Sequence, residues 1–335
     1  MIVQQSAFEY LQHGQTPFFR LPTVRPDDAH HGLGTADAVL IGVPYDGGST
    51  YQPGARLAPY HVRRVSALVQ GFHPWHAIDV FSRVRALDGG NVVVPPFDGA
   101  LAREAIRRDV GAIVAAGAVP FVVGGDHTVA LPALRAVAER HGPLAVVHVD
   151  AHLDTSGPEV WGDAHHHGTP LRHALVEGLI ERGQLCQVGI RATWGSPTDG
   201  DLGDSFGVWR CSIEEFALHG VGQVAAEIRE RVGNRPVYLT FDIDAVDPAF
   251  APGTGTPVPG GLSSRQAIDL VRGLAGLDLV GMDLVEVLPA LDHADITSHL
   301  AATLLFEGLA VLALARRRRG VHPDQGNVST AELAG

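Results

Sequence analysis

Short apolar runs rich in β-branched residues alternate along the chain with longer stretches in which apolar residues return every three or four positions. The runs AVLIGVPYD, VPFVVGGDH, LAVVHVDAH, LCQVGIR, PVYLTFDID and LVGMDLVEV read as buried strands, because a strand covered on both faces shows no polar alternation. Between them, LAREAIRRDVGAIVAAG, VALPALRAVAERHG, TPLRHALVEGLIERG, VGQVAAEIRERVG and SRQAIDLVRGLAGL carry the spacing that gathers apolar side chains on one helix face. Alternation of this kind predicts an α/β fold with a mostly parallel sheet between two helical layers, a three-layer α/β/α arrangement. No linker, low-complexity tract or repeat interrupts the pattern, so one domain is expected over 1–335, with an irregular arm over 1–35 and a mobile tail over 320–335. The apolar run over 300–315 is interrupted by Glu307 and followed by Arg316 to Arg319. It is too short to span a bilayer unaided and predicts a buried C-terminal helix whose arginines face the negative end of its dipole.

A formal net charge of −12 argues against a nucleic-acid partner, which clustered Lys and Arg would meet, and favours a small cationic one. Two cysteines, Cys186 and Cys211, form no disulfide framework or zinc pattern and read as buried thiols. The start MIVQQSAFEY lacks a basic segment followed by an apolar core, which leads to the expectation of a cytoplasmic protein with no membrane partner.

The chemistry gathers where the predicted strands end. Asp126 and His127 follow VPFVVGG; Asp150, His152 and Asp154 lie at or past the end of LAVVHVD; Asp242 and Asp244 end PVYLTFD; Glu286 closes LVGMDLV. In an open α/β sheet that edge is where ligands bind, so separate strands can deliver these groups to one crevice. Residues two apart on an extended strand share a face, which would let Asp150, His152 and Asp154 project together, as would Asp242 and Asp244. Oxygen and imidazole donors without thiolate suit a divalent ion such as Mn²⁺, with Ni²⁺ as the alternative. Two cations bridged by carboxylates would also relieve the repulsion among the acids, with Asp242 bridging and Asp244 binding one ion. Taken singly, an acid pair at a strand end is a turn or helix cap, His127 a packed ring, and Glu286 a cap or surface acid. The DAHLD segment resists that reading, because a buried strand seldom ends in two acids and a histidine without a partner.

GGDHTVALP, HVDAHLDT, HHHGTP and FDIDAVDPAFAPGTGTPVPGG resemble the signatures of the ureohydrolase family of arginases, agmatinases and other amidinohydrolases. The likeness runs from Gly42 to Thr297, and APGTGTPVPGG with HGTP is closer to agmatinases and guanidino-acid hydrolases, proclavaminate amidinohydrolases among them, than to arginases. The resemblance implies an arginase-like fold, a catalytic domain with two Mn²⁺ ions, and attack of a bridging hydroxide on a guanidinium carbon to give urea and an amine. Carried over, His127, Asp150, Asp154 and Asp242 would hold one ion, and Asp150, His152, Asp242 and Asp244 the other. His167, alone of the HHH run His165 to His167, would shuttle a proton, and Glu286 would hold the guanidinium. A small cationic guanidino substrate and a homo-oligomer, trimeric or hexameric, are implied by the same resemblance. Alternatives are a Ni²⁺-dependent hydrolase of guanidine or a small alkylated guanidine, and a formiminoglutamase-type hydrolase releasing formamide.

Leu153, Asn91 and Ala58 stand where the family commonly has a small or hydroxylated residue, an aspartate and a glycine; none of the three is a ligand. Substrate choice is expected in 155–168 and in the N-terminal segments, with Trp161 either stacking on a cation or meeting another copy. Ser49, Thr50 and Arg56 read as a structural turn, with contact to the far end of the substrate as the alternative. No positions match the amino-acid clamp of arginase, so free arginine is not the expected substrate.

Overall fold

The structure is a computed structural model that describes residues 16–24 and 33–318, without the side chains of 316–318. Most of the expected N-terminal arm, the expected tail over 320–335 and the side chains of Arg316 to Arg319 lie outside the described residues.

Eight strands build one parallel sheet: β1 (Ala38–Gly42), β4 (Ala86–Asn91), β5 (Val119–Val123), β6 (Leu144–Val149), β7 (Ile180–Ile190), β8 (Trp209–Ser212), β9 (Pro236–Asp242) and β10 (Asp278–Val285). Their order across the sheet is β4-β1-β5-β10-β9-β6-β7-β8, and a small antiparallel pair, β2 (Phe72–His73) and β3 (Ile78–Asp79), stands apart. The strand runs of the sequence fall on β1, β5, β6, β7, β9 and β10. The two edge strands gave no such signal, since ALDGGN carries an acid and two glycines and WRCS is four residues long. The helix expected over TPLRHALVEGLIERG is shorter: it ends at Val176, Gly178 reverses the chain at φ +71°, and Ile180 opens β7 by pairing with Leu144. Pairing with β6 outweighs the helical spacing of that segment.

Alternation along each strand feeds two apolar layers. Val119, Phe121 and Val123 of β5 with Val147 and Val149 of β6 face the layer that holds helices Val221–Val232, Ser264–Gly273 and Ile296–Arg318. Val122, Val146 and Tyr238 face the opposite layer with helices Gly99–Ala115, Ala130–His141 and Pro170–Val176. The segment His293–Ala315 is long and apolar enough to cross a membrane, yet its most apolar 18-residue window is 83% buried inside the fold. Its Glu307 is answered by His73 Nε2 at 2.8 Å and Arg272 Nε at 3.1 Å, so the acid in the apolar run is a paired core group.

Candidate metal centre and catalytic cleft

The four central strands, β5, β10, β9 and β6, are the ones whose C-terminal ends lead to His127, Glu286, Asp242 and Asp150. The chain stops being extended at each of these ends, so the shared-face expectation for Asp150, His152 and Asp154 does not hold. Instead an aspartate carboxylate accepts the backbone N–H two residues on: Asp126 Oδ1 from Thr128 at 3.0 Å, Asp150 Oδ1 from His152 at 2.6 Å, Asp242 Oδ1 from Asp244 at 2.9 Å. These Asx turns fold the chain back after β5, β6 and β9 and carry the next donor inward. Asp154 arrives with φ +53° and Glu286 with φ +63°, left-handed conformations that non-glycine residues seldom adopt and that gather at functional sites. Asp154 is held there because its carbonyl accepts the N–H groups of Leu171 and Arg172, 3.1 and 3.2 Å away, at the start of the next helix.

The six expected ligands converge. His127 Nδ1 lies 2.8 Å from Asp154 Oδ2, 3.2 Å from Asp150 Oδ2 and 3.3 Å from Asp242 Oδ2. His152 Nδ1 lies 3.0 Å from Asp244 Oδ2 and 3.4 Å from Asp150 Oδ1. Although three carboxylate oxygens crowd the buried His127 Nδ1, none is placed to accept a hydrogen bond from it. Its other nitrogen is committed: Thr240 Oγ1 donates to Asp283 Oδ1 at 2.6 Å and so must accept the His127 Nε2–H at 2.8 Å. In the neutral ring this leaves the lone pair on Nδ1, on the side of the carboxylates. Burial disfavours charge on the ring, but without a cation the same carboxylates raise the His127 pKa and favour a proton there, so the position suits a shared cation. Burial, then Asp244 and Asp150, push the Asp242 carboxyl well above the usual range. Burial disfavours charge on His152, but Asp244 and Asp150 push it up to about 12. Protons on imidazole thus offset the crowded acids where divalent cations would, and the residues present fit a metal pair.

A further histidine, missed in the sequence, completes the centre. Gln187 Oε1 accepts from Arg210 Nε at 3.2 Å, which orients the amide so that its Nε2 donates to His148 Nδ1 at 3.1 Å. His148 Nε2–H therefore donates to Asp150 Oδ2, 2.7 Å away. Arg191 was missed as well: it donates to the carbonyls of Asp244, Ala245 and Val258 and ties the turn bearing Asp244 to the following loop. Asp247, the third acid in the run that begins with Asp242, serves that loop too, accepting from Ala249 N at 2.9 Å and Gly260 N at 2.6 Å, and stays outside the centre.

Over the centre opens a cleft of about 750 Å³ lined by His127, Asp154 and Asp242 at its base and by Thr50, His167 and Trp161 on its walls. His167 Nδ1 meets Glu286 Oε1 at 2.8 Å and its Nε2 meets Thr50 Oγ1 at 2.6 Å. Burial works against a charge on His167, but the Glu286 hydrogen bond and charge raise its pKa to about 9. Glu286 Oε1 also accepts the His127 N–H at 3.0 Å, so this acid joins His127 to His167. Of the other two histidines in the run, His165 stacks on His173 at 4.6 Å and His166 Nδ1 accepts the Gly168 N–H at 3.2 Å. Gly48 sets the approach of the 42–56 loop: its N–H donates to Asp126 at 2.6 Å, its carbonyl accepts from His167 N at 3.0 Å, and a Cβ would meet Thr128 Cγ2 at 2.4 Å. Thr50 thus belongs to the cleft, whereas Arg56 is bound to Asp46 within a turn that also takes the Gly54 N–H at 2.7 Å.

The departures from the family pattern sit around the ligands. Leu153 is 8% exposed on the cleft wall and its carbonyl accepts from Gln187. Asn91 is exposed and bonded to Arg63, and Ala58 is buried against Gly124.

Residues 36–310 match the arginase family. The chain is 45% identical to proclavaminate amidinohydrolase of Streptomyces clavuligerus over 91% of its own length and 96% of that protein's. The solved structure of a proclavaminate amidinohydrolase from that organism superposes with a TM-score of 0.84, covering 90% of this chain and 98% of that one at 44% identity. Guanidinopropionase of Pseudomonas aeruginosa is 44% identical over 91% of this chain and 94% of its own, and mitochondrial agmatinase of Gallus gallus 41% identical over 82% and 81%. With its eight-stranded parallel sheet and the His and Asp cluster at the ends of the central strands, this chain belongs to the arginase family, enzymes that hydrolyse guanidino C–N bonds.

Proposed function

We propose that the chain holds two Mn²⁺ ions and hydrolyses agmatine or a related guanidino compound to urea and an amine. His127, Asp150, Asp154 and Asp242 would hold one ion, and Asp150, His152, Asp242 and Asp244 the other. The observation that carries this is the His127 Nδ1, buried within 3.3 Å of three carboxylate oxygens while its Nε2–H is bound to Thr240. Donors that are all oxygen or imidazole nitrogen support Mn²⁺, with Ni²⁺ as the alternative ion. When bound, such a pair lowers the pKa of a shared water and supplies hydroxide near neutral pH.

The side chains around it do the rest. Glu286 engages its own protein through Oε1, which leaves Oε2 to accept from a planar guanidinium and hold its carbon over the centre. His167, with its pKa near 9, enters neutral solution protonated and can give the Nε2 proton to the departing nitrogen while Thr50 steadies the ring.

Urea release by protein reconstituted with Mn²⁺ or Ni²⁺, across agmatine, ω-guanidino acids, arginine and small guanidines, tests the reading. Asp242→Ala should lose metal and activity together, and His167→Ala should keep its metal and lose about 10²–10⁴-fold in turnover. Formamide from a formimino compound, with no urea from any guanidine, would overturn the proposal in favour of formimino hydrolysis.

A further inference from the structure

Away from the histidines of the centre, the charged groups that line the cleft are of one sign. Among the described residues that line it are Glu159, Asp199, Trp161 and Trp194, and no lysine or arginine. The Glu159 carboxylate folds over Gly157, where a Cβ would meet its Oε1 at 2.1 Å, so a glycine makes the space in which this acid rests. Asp199 is fixed in the lining by a turn: its Oδ2 accepts the N–H groups of Gly195 at 2.7 Å and Ser196 at 3.2 Å. Trp161 and Trp194 are 62% and 45% exposed, large indoles left uncovered beside two carboxylates. Indole faces attract cations, and two carboxylates reinforce that preference while repelling an anion. Away from those histidines, a carboxylate at the far end of a substrate would find no lysine or arginine in the lining and would be desolvated against like charge.

We infer that Glu159, Asp199, Trp161 and Trp194 select substrates whose end remote from the guanidinium is positively charged, ω-guanidinoalkylamines rather than ω-guanidino acids. The inference rests on the proposed guanidino hydrolysis and adds to it the sign of charge that the walls accept. A matched pair separates the two statements: kcat/KM for urea release by the metal-loaded full chain from 4-guanidinobutylamine and from 4-guanidinobutanoate, in wild type and in Glu159→Gln/Asp199→Asn. Asparagine can keep the turn bonds of Asp199, so the double change removes charge and little else. The amine is expected to exceed the acid in wild type, and the amine-to-acid ratio to fall roughly 2- to 30-fold in the variant, as for the loss of two solvent-exposed ion pairs. Added salt should narrow the wild-type ratio in the same direction. An acid hydrolysed as well as or better than the amine, or a ratio unmoved by the double change, overturns the inference and leaves the hydrolytic reading standing. No urea from either compound with both metals bound overturns the inference, and the hydrolytic reading falls with it only if no other guanidine yields urea.

Discussion

Replacing Thr240 by valine keeps the shape of a fully buried side chain and deletes one hydroxyl. That hydroxyl accepts the His127 Nε2–H at 2.8 Å and donates to Asp283 Oδ1 at 2.6 Å. Its loss strands one buried donor and one buried acceptor, each worth about 1–3 kcal/mol, or about 2–6 kcal/mol of folding free energy in total. Asp283 keeps its other oxygen on Tyr238 OH at 2.9 Å, which places the cost in the lower part of that range. A second loss follows for the metal, because nothing then holds the proton on Nε2 and the lone pair on Nδ1. Removing such a partner of a ligand typically costs about 10–100-fold in metal affinity, roughly 1.4–2.7 kcal/mol. Calorimetric titration of metal-stripped Thr240→Val with Mn²⁺, beside thermal melts of the metal-free protein, reads both effects. Thr240→Ser restores the hydroxyl and should recover most of the affinity. If the valine variant bound Mn²⁺ as wild type does and melted at the same temperature, the Thr240 link would have no part in orienting His127.

The raised pKa of His167 gives a pH signature in the metal-free protein. Stability from its charged form is fully present below the ordinary value of 6.5 and is lost as pH rises through about 9, so the gap in urea midpoint between wild type and His167→Gln should narrow over that window. A gap constant from neutral to alkaline pH would refute the Glu286 pairing as its source. The thiols of Cys186 and Cys211, buried and pushed up to about 12 by burial, should resist an aromatic disulfide reagent in the native protein and both react on unfolding. Rapid labelling of either in the native state would contradict the packing of β7 and β8.

Much of the arrangement was legible because strand ends are marked by composition. The runs that became β5, β6, β9 and β10 are apolar up to the residue at which acids and histidines begin, and in a parallel sheet those ends fall on one edge. The two-residue spacing pointed to the right neighbours for a different reason, since the chain leaves the strand and each aspartate cages the N–H two positions on. His148 and Thr240 were within reach of sequence reasoning, as each precedes an acid of the centre by two positions on a buried strand. Asp283 and Gln187 were not. Asp283 matters because β10 pairs with β9 in the register that puts it beside Thr240, and Gln187 because β7 places it beside His148. Such registers come from the whole sheet, and no local pattern in LVGMDLV or LCQVGIR specifies them.

The order β5-β10-β9-β6 also has a consequence for how the chain is made. Synthesis delivers β5 and β6 well before β9 and β10, yet in the finished sheet the two late strands stand between the two early ones. With strands about 4.8 Å apart, the early half must leave a slot with about 14 Å between its flanking strands, whose unpaired edges can meet other chains meanwhile. A nascent chain that ends before β9 has His127, Asp150, His152 and Asp154 but neither Asp242, Asp244 nor Glu286. The bond from His127 N to Glu286 spans 159 positions and closes only when the last strand enters. Contacts of such separation form slowly, so insertion of the central pair would set the pace of maturation. A translation product that stops before β9 would be left unable to complete the metal pair, and ion capture then reports that synthesis has passed β9.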